Sequence, residues 1–496
     1  MKILAYDFGT SGVKSVLIDR SGNILGSCEK SYPLYTPQPL YVEQKAEDYW
    51  DAVCDVTRRI MEETQRDPDE IAGISFGVQA FNTIPVDADG NVLINVISWL
   101  DGRAIEEAAA INEFCGANLV RSQDYQCRMM WVKNHLPDVY NKTCAFLDCD
   151  GYLQYKCTGV ISVSKGHEGI YKYHPAIQEY LDATLAATGV DPDKIPPFVE
   201  PCKVFGYTDK RGAEDLHLRE GIPVFGGMSD VPAAAAGCGC VKEGDAHLYL
   251  GTSGWLSVLV NKPTETSEGS YLIPSIDPDL LIYGGYTNSC CKMLNWTIDR
   301  FYAKEHEEYG SKVYDLINED AGKISPGSDG LYATPWLFGE QFPVCDPNAR
   351  AMFFNIREDH TRAHFINAVM ESLCFSMKWQ IELYSHDFGK TLDSVIVNGG
   401  GSLSNHWMQM MADITRLIVN VPENTLHSGA LGAGVAAAIG LGWCNYDTVD
   451  SFIKVRKTFY PREEYRSLYE AKYETFKDLY VMSKEMFDKL NKNAEV

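Results

Sequence analysis

Two carboxylates stand out by what surrounds them. Asp7 closes a strand-like run, residues 2–7, just ahead of the turn Gly9-Thr10-Ser11-Gly12, with Lys14 beyond it. A turn in which glycines flank Thr-Ser brings backbone N–H groups and hydroxyls up to an anion with no bulky side chain between them. An acid beside such a turn is badly placed to touch phosphate directly and well placed to hold Mg²⁺ through water. Lys14 reads equally well as a phosphate partner and as a cation on the hairpin's solvent face. The second carboxylate, Asp230, ends the run Gly226-Gly227-Met228-Ser229 and precedes Val231-Pro232 and four alanines. Proline near a first turn followed by alanines marks a helix start, so Asp230 occupies an N-cap-like place. Capping alone accounts for an Asp there; the same placement also suits a general base facing a γ-phosphate.

The turn after Asp7 has a second copy. Residues 248–260 lie on residues 6–18 at a constant offset, and between 8–18 and 250–260 the residues Gly, Thr, Ser, Gly, Ser, Val and Leu recur in place. Each copy is a β-rich run, a Gly-Thr-Ser-Gly tip and a second β-rich run, the pattern of a hairpin. A single copy is explained as a tight turn. The repetition predicts that Gly9, Thr10 and Ser11 from one half and Gly251, Thr252 and Ser253 from the other hold a polyphosphate between them. The spacing is not that of a Walker A loop.

Other segments carry weaker signals. Gln79-Ala80-Phe81-Asn82 follows a buried-type strand, where α/β proteins place ligand contacts. In Trp99-Leu100-Asp101-Gly102-Arg103 an acid and a base beside an indole suit a polyol, or equally a helix start with a surface ion pair. Gly399-Gly400-Gly401-Ser402, with Asn405, joins a β-rich run to a helix. Bare backbone there would let a flat ligand such as adenosine lie close, although a plain strand–helix joint is the simpler reading. Residues 116–220 offer no catalytic spacing and read as pocket walls or insertions.

These tips need elements to carry them. Helices are expected over 46–65, from residue 99 onward, over 129–135, 175–188 and 360–384, up to about 415, from 429, and over 465–490. Strands are expected at 71–77, 331–337, 394–398 and 417–421. With 496 residues the chain is too long for one ordinary core, and the duplicated hairpin divides it into 1–242 and 243–496. Apolar content of 45 % and charged content of 23 % belong to a globular protein. The net charge of −24 and the lack of a basic run argue against nucleic acid. No apolar run reaches the length of a membrane span, and the N-terminus shows no signal-peptide pattern. The fifteen cysteines have neither zinc spacing nor a disulfide-type framework, which points to the cytoplasm. A homodimer is kept as a possible assembly.

In their order along the chain these segments resemble the FGGY family of carbohydrate kinases, most closely its xylulokinase-like branch. Residues 7–14 and 250–254 are similar to its two phosphate motifs, 227–230 to the segment with its catalytic base, 398–405 to its adenosine motif and 351–371 to its C-terminal signature. The resemblance implies an α/β fold of two ribonuclease H-like domains of the hexokinase/actin type, with mixed sheets and an interdomain cleft. It implies ATP, Mg²⁺ and a small sugar acceptor. Asp230 would accept the hydroxyl proton and Asp7 would organise the metal; Gly9–Ser11, Lys14 and Gly251–Ser253 would hold phosphates. Gly399–Ser402 and Asn405 would hold adenosine, and Gln79, Ala80, Phe81, Trp99, Asp101, Arg103 and Asp230 would face the sugar. A ketopentose such as xylulose is the first expectation, although Phe81 stands where that branch carries His, Gln341 where Arg is frequent and Arg128 where Lys is usual. Alternatives are another sugar or polyol (ribulose, fuculose or rhamnulose, a glycerol-like acceptor), an actin- or chaperone-like ATPase, and a non-catalytic sugar sensor.

Overall fold

The computed structural model describes residues 1–164 and 175–492, with only the backbone of 175–181. The chain forms two compact units. The first comprises Met1–Lys242, Ile273–Leu281 and His427–Ile453, the second Glu243–Leu272, Ile282–Leu426 and Lys454–Val496.

The first unit is built on a mixed sheet of β1 (Lys2–Phe8), β2 (Gly12–Ile18), β3 (Ile24–Ser31), β4 (Ile71–Val78), β5 (Val204–Tyr207), β6 (Pro223–Phe225) and β7 (Met228–Ser229). Its order is β5-β6-β4-β1-β2-β3, with β7 also on β4. β1 runs antiparallel to β2 and parallel to β4, so one strand belongs both to the hairpin and to the parallel core. β4 is buried along its whole length, as a strand covered on both faces must be.

The helices that position the site in this unit are α1 (Ala46–Thr64), α2 (Ile105–Cys115), α3 (Tyr125–His135), α4 (Cys149–Thr158) and α5 (Asp230–Gly237). α1 buries Tyr49, Trp50, Val53, Val56 and Ile60, an i, i+3, i+4 stripe that fits its face to the core. In the second unit lie α6 (Arg362–Phe388), α7 (Asn405–Thr415) and the terminal α9 (Arg466–Asn491), while α8 (Ser428–Gly440) returns to the first. α8 packs backbone to backbone on α5. A Cβ added at Gly432 would fall 1.8 Å from the Ala233 carbonyl, and one at Gly237 1.8 Å from that of Ser428. The small-residue run from 429 is thus a packing surface.

The second unit repeats the plan with β8 (Ala246–Leu250), β9 (Gly254–Val260), β10 (Leu281–Thr287), β11 (Ser394–Asn398), β12 (Ile418–Pro422) and β13 (Val455–Phe459). These six run in the order β10-β9-β8-β11-β12-β13, and the short strand Tyr271–Pro274 adds an edge beside β10. β8 is antiparallel to β9 and parallel to β11, matching the roles of β1, β2 and β4.

Several elements differ from expectation. The helix expected from Trp99 begins at Ile105, because Asp101 and Arg103 are committed to contacts that hold their backbone in a loop. The strand expected over 331–337 is reduced to Tyr332–Thr334. The stretch 116–220, which carried little signal, contributes α3, α4 and β5, and part of it lies outside the described residues. No disulfide and no cluster of three or more potential metal ligands occurs among the described residues, and no described helix is long and apolar enough to cross a membrane.

Candidate functional site

In the first unit Asp7 and Lys14 are directly opposite each other on β1 and β2. Side chains so paired stand on the same face of the ladder. Burial pushes the Asp7 carboxyl above its usual range, and the Lys14 cation pulls it back down. The start of α8 closes in on the same carboxylate: a Cβ at Gly429 would fall 2.6–2.8 Å from its Cγ and both oxygens. Only glycine leaves room there. His427, two residues earlier, has its Nδ1 buried without a hydrogen-bond partner among the described residues, and burial, then Lys14, lowers its pKa. Neither His427 nor Gly429 was singled out for the site from sequence. The signal available was the Gly429-x-x-Gly432 spacing in the helix expected from 429.

The tip that follows β1 is held from three sides. The Gly9 N–H donates to the Gly12 carbonyl at 2.9 Å, and the Tyr32 hydroxyl donates to the Gly9 carbonyl. Gln44 Nε2 donates to the Thr10 carbonyl at 2.9 Å, and the Trp99 indole donates to Thr10 Oγ1 at 2.9 Å. Ser11 and Lys14 remain exposed.

Asp230 is exposed and stands as the first residue of α5, with Ser229 at the N-cap. This is one position inside the expected cap. Its Oδ1 accepts the Val231 N–H at 2.9 Å. α5 starts where β7 pairs with the end of β4, Ser229 opposite Val78, which sets Asp230 at the same strand end as Gln79.

Gln79 continues β4, its N–H donating to the Phe8 carbonyl at 2.6 Å. It is buried, and its Nε2 lies 3.2 Å from both Gln44 Oε1 and the Tyr49 hydroxyl. Its Oε1 has no partner among the described residues. Ala80 is half-buried, and Asn82 Nδ2 donates to the Gln79 and Ala80 carbonyls. Asp101 and Arg103 do not form a surface pair. Asp101 is fully buried and accepts from Val42 N, Arg103 N and the Arg103 guanidinium. The guanidinium also reaches Glu43 at 2.8 Å and lies 3.8 Å from the Tyr41 ring centroid. Both side chains are consumed in shaping the loop that presents Trp99, which is 40% exposed.

The second unit brings together its tip and the glycine triplet. Tyr249 of β8 is opposite Asn398 of β11, so Leu250 and Gly399 leave the sheet side by side. A Cβ at Gly399, whose φ is +85°, would lie 2.6 Å from the Leu250 carbonyl. Gly400 is exposed and meets nothing within 4 Å of such a Cβ. Ser402 turns its hydroxyl inward, donating to the Gly399 carbonyl at 2.7 Å, with Thr425 Oγ1 at 2.5 Å. Asn405 begins α7 exposed, its start capped by Ser404 accepting from Trp407 N. At the tip, the Gly251 N–H donates to the Ser253 carbonyl at 3.0 Å, and the Gly251 and Thr252 carbonyls accept from Cys291 N and Lys292 N. Nearby, Glu340 is buried among Thr287 and the amides of Asn288 and Gln341. Burial pushes its pKa to about 8. Gln341 serves this loop through its backbone.

Two α/β units of one plan, each with a mixed sheet and a glycine–hydroxyl tip at the end of its hairpin, have the architecture of the hexokinase/actin class. The chain belongs to the FGGY family of carbohydrate kinases: residues 2–237 match the family's N-terminal domain and residues 246–441 its C-terminal domain. It is therefore an enzyme, a sugar kinase, and that family implies ATP as co-substrate. Over 495 residues it is 28% identical to a xylulose kinase of Bacillus subtilis, covering 98% of this chain and 97% of that protein. It is 26% identical to a gluconokinase of the same organism, covering 94% of each. Among solved structures, ligand-bound xylulose kinase from Lactobacillus acidophilus superposes with a TM-score of 0.85 at 22% identity, covering 99% of this chain and 100% of that one. This supports the two-domain fold with mixed sheets.

Proposed function

We propose that the protein transfers the γ-phosphoryl group of ATP to a hydroxyl of a small sugar, with xylulose the first candidate acceptor. The observation that carries the reading is the contact of Gly399 with Leu250 in the second unit, where an open glycine turn and a glycine–hydroxyl tip leave adjacent parallel strands. A nucleoside base against the first and its phosphates against the second would span one such edge. Xylulose is favoured because relatives aligned over nearly the whole chain carry that name. We take 1–242 as the sugar-binding half with the catalytic base, and 243–496 as the nucleotide-binding half.

In this reading Asp230, exposed at the start of α5, takes the proton of the attacking hydroxyl. The tips Gly9–Ser11 and Gly251–Ser253 face the phosphates with the backbone and hydroxyls of Thr10, Ser11, Thr252 and Ser253, the Gly9 and Gly251 N–H groups closing the turns themselves, and Lys14 adds a cation. Gln79, Ala80, Phe81 and Trp99 line the sugar side, while Asp101 and Arg103 hold Trp99 in place. Gly399–Gly401 offer backbone to adenosine and Asn405 a side chain, whereas Ser402 braces the turn. With little covalent work to do, the protein contributes position and charge. Asp7 fits Mg²⁺: one carboxylate in a space kept open by Gly429 matches an ion that takes one or two protein oxygens and completes its shell with phosphate and water. Bound there, Mg²⁺ would neutralise phosphate charge. A homodimer and a cytoplasmic location complete the proposal.

The test is a coupled ADP-release assay over ketopentoses, ketohexoses, aldoses, polyols, deoxy sugars and gluconate. Sugar-dependent ADP formation, highest with xylulose, is expected. ADP formation indifferent to every sugar would sink the reading in favour of an ATPase.

A further inference from the structure

Arg128, on α3, is a fully buried arginine with no hydrogen bond to any carboxylate among the described residues. Its guanidinium donates to two backbone carbonyls, those of Ser98 and Phe81, and its Nε finds no partner among the described residues. A buried cation without a bonded counter-ion is unfavourable by itself, so what it holds is informative.

Phe81 has φ +64°, a conformation that bulky residues avoid unless their surroundings impose it. Its N–H donates to Asp148 Oδ2 at 3.0 Å and to the Tyr125 hydroxyl at 3.2 Å, while its carbonyl accepts from Arg128. Asp148 also takes the Asn82 N–H at 3.0 Å and caps α4. Charged groups thus grip both ends of one peptide segment. Through Ser98 the same guanidinium fixes the turn that carries Trp99, whose N–H meets Asn82 Oδ1 at 3.3 Å.

We infer that Arg128 is a positioning residue: with Asp148 it clamps Phe81 in the left-handed region and locks the 79–82 and 98–101 loops together, so setting which acceptor sugar the enzyme takes. The inference rests on the sugar-kinase reading for its consequence and on geometry for the clamp. Charge-assisted bonds to carbonyls from a planar fork hold direction as well as distance, which an ammonium does not reproduce.

Two measurements test it. Hydrogen exchange on the ligand-free protein does not depend on activity: Arg128→Lys should raise exchange of the 81–82 and 98–101 amides several-fold and leave 250–254 and 398–405 unchanged. In kinetics it should raise the sugar KM about 10-fold, with ATP KM within about twofold, as expected when substrate positioning is loosened. Glycine adopts positive φ unaided, so in a Phe81→Gly background Arg128→Lys should add little to the sugar KM. Uniformly faster exchange, or a lower kcat at unchanged sugar KM, would reduce Arg128 to a general structural role and overturn the proposal. Should Arg128→Lys alone fail to fold, the Phe81→Gly double variant should fold, and an unfolded double variant contradicts the clamp. A wild type that phosphorylates no sugar sinks the kinase reading and with it the claim about acceptor choice, while exchange still decides the clamp.

Discussion

The two hairpin tips share a sequence and a backbone plan and differ in charge. Where β1 carries Asp7 opposite Lys14, β8 carries Tyr249 opposite Trp255, and those rings stack at 4.0 Å. Where β1 carries Ala5, β8 carries His247, fully buried. The first tip stands beside an ionisable pair and the space Gly429 preserves. The second stands beside an aromatic stack and the Gly399 turn. The repeated hairpins thus keep one backbone plan while one carries the charge and the other an apolar flank. In the proposed reaction the first tip handles phosphate and metal, and the second seats the nucleotide.

Single substitutions probe that contrast, the largest effect first. Asp230→Asn should lower turnover by at least the ~10²-fold typical of removing a general base, with ATP binding measured by calorimetry nearly unchanged. Near-normal turnover would remove Asp230 from the mechanism. Asp7→Asn should also cost about 10²-fold, the scale of losing one charge-stabilising group, whereas Tyr249→Phe at the matching position should stay within about twofold. Equal losses in both would erase the asymmetry. Asp7→Asn carries a second signature. Because burial raises the folded carboxyl, the unfolded chain releases that proton first, so the group destabilises the ligand-free protein as pH rises. The amide variant should therefore melt at a higher temperature at neutral pH while losing activity.

Next, Gly429→Ala would drive a methyl into the Asp7 carboxylate, and about a 10-fold loss is expected from so small a displacement, read as a raised Mg²⁺ requirement. The mildest effect concerns the second tip. Burial holds His247 neutral, its pKa lowered from 6.5 to about 3, and its Nε2 lies 3.3 Å from Trp255 Nε1. The unfolded chain binds the proton first, so this residue's contribution is complete above pH 6.5 and is lost as pH falls from 6.5 toward 3. His247→Leu should flatten that part of a denaturation-versus-pH series, and an unchanged slope would contradict the assignment.

Local pattern made the hairpins, the buried strand at 394–398 and the helix starts near 230 and 405 readable, since each is coded by adjacent residues. It also offered Asp101 and Arg103 either as ligand contacts or as a surface ion pair, and residue type could not show that the fold buries them against each other and Glu43. Asp148, and what Arg128 holds, were opaque for a different reason. Their partners are backbone groups of Phe81, 47 and 67 residues away in sequence, and a carbonyl or amide leaves no mark in residue type. His427 was hidden likewise, because it gains meaning only once α8 lies against β1.

In the proposed reaction ATP's terminal phosphoryl group goes to sugar and not to water. Incubation with γ-labelled ATP and xylulose, followed by separation of the products, reads this directly. Label is expected in a sugar phosphate, dependent on the sugar and lost in Asp230→Asn. Label appearing as inorganic phosphate at the same rate with and without sugar would contradict it.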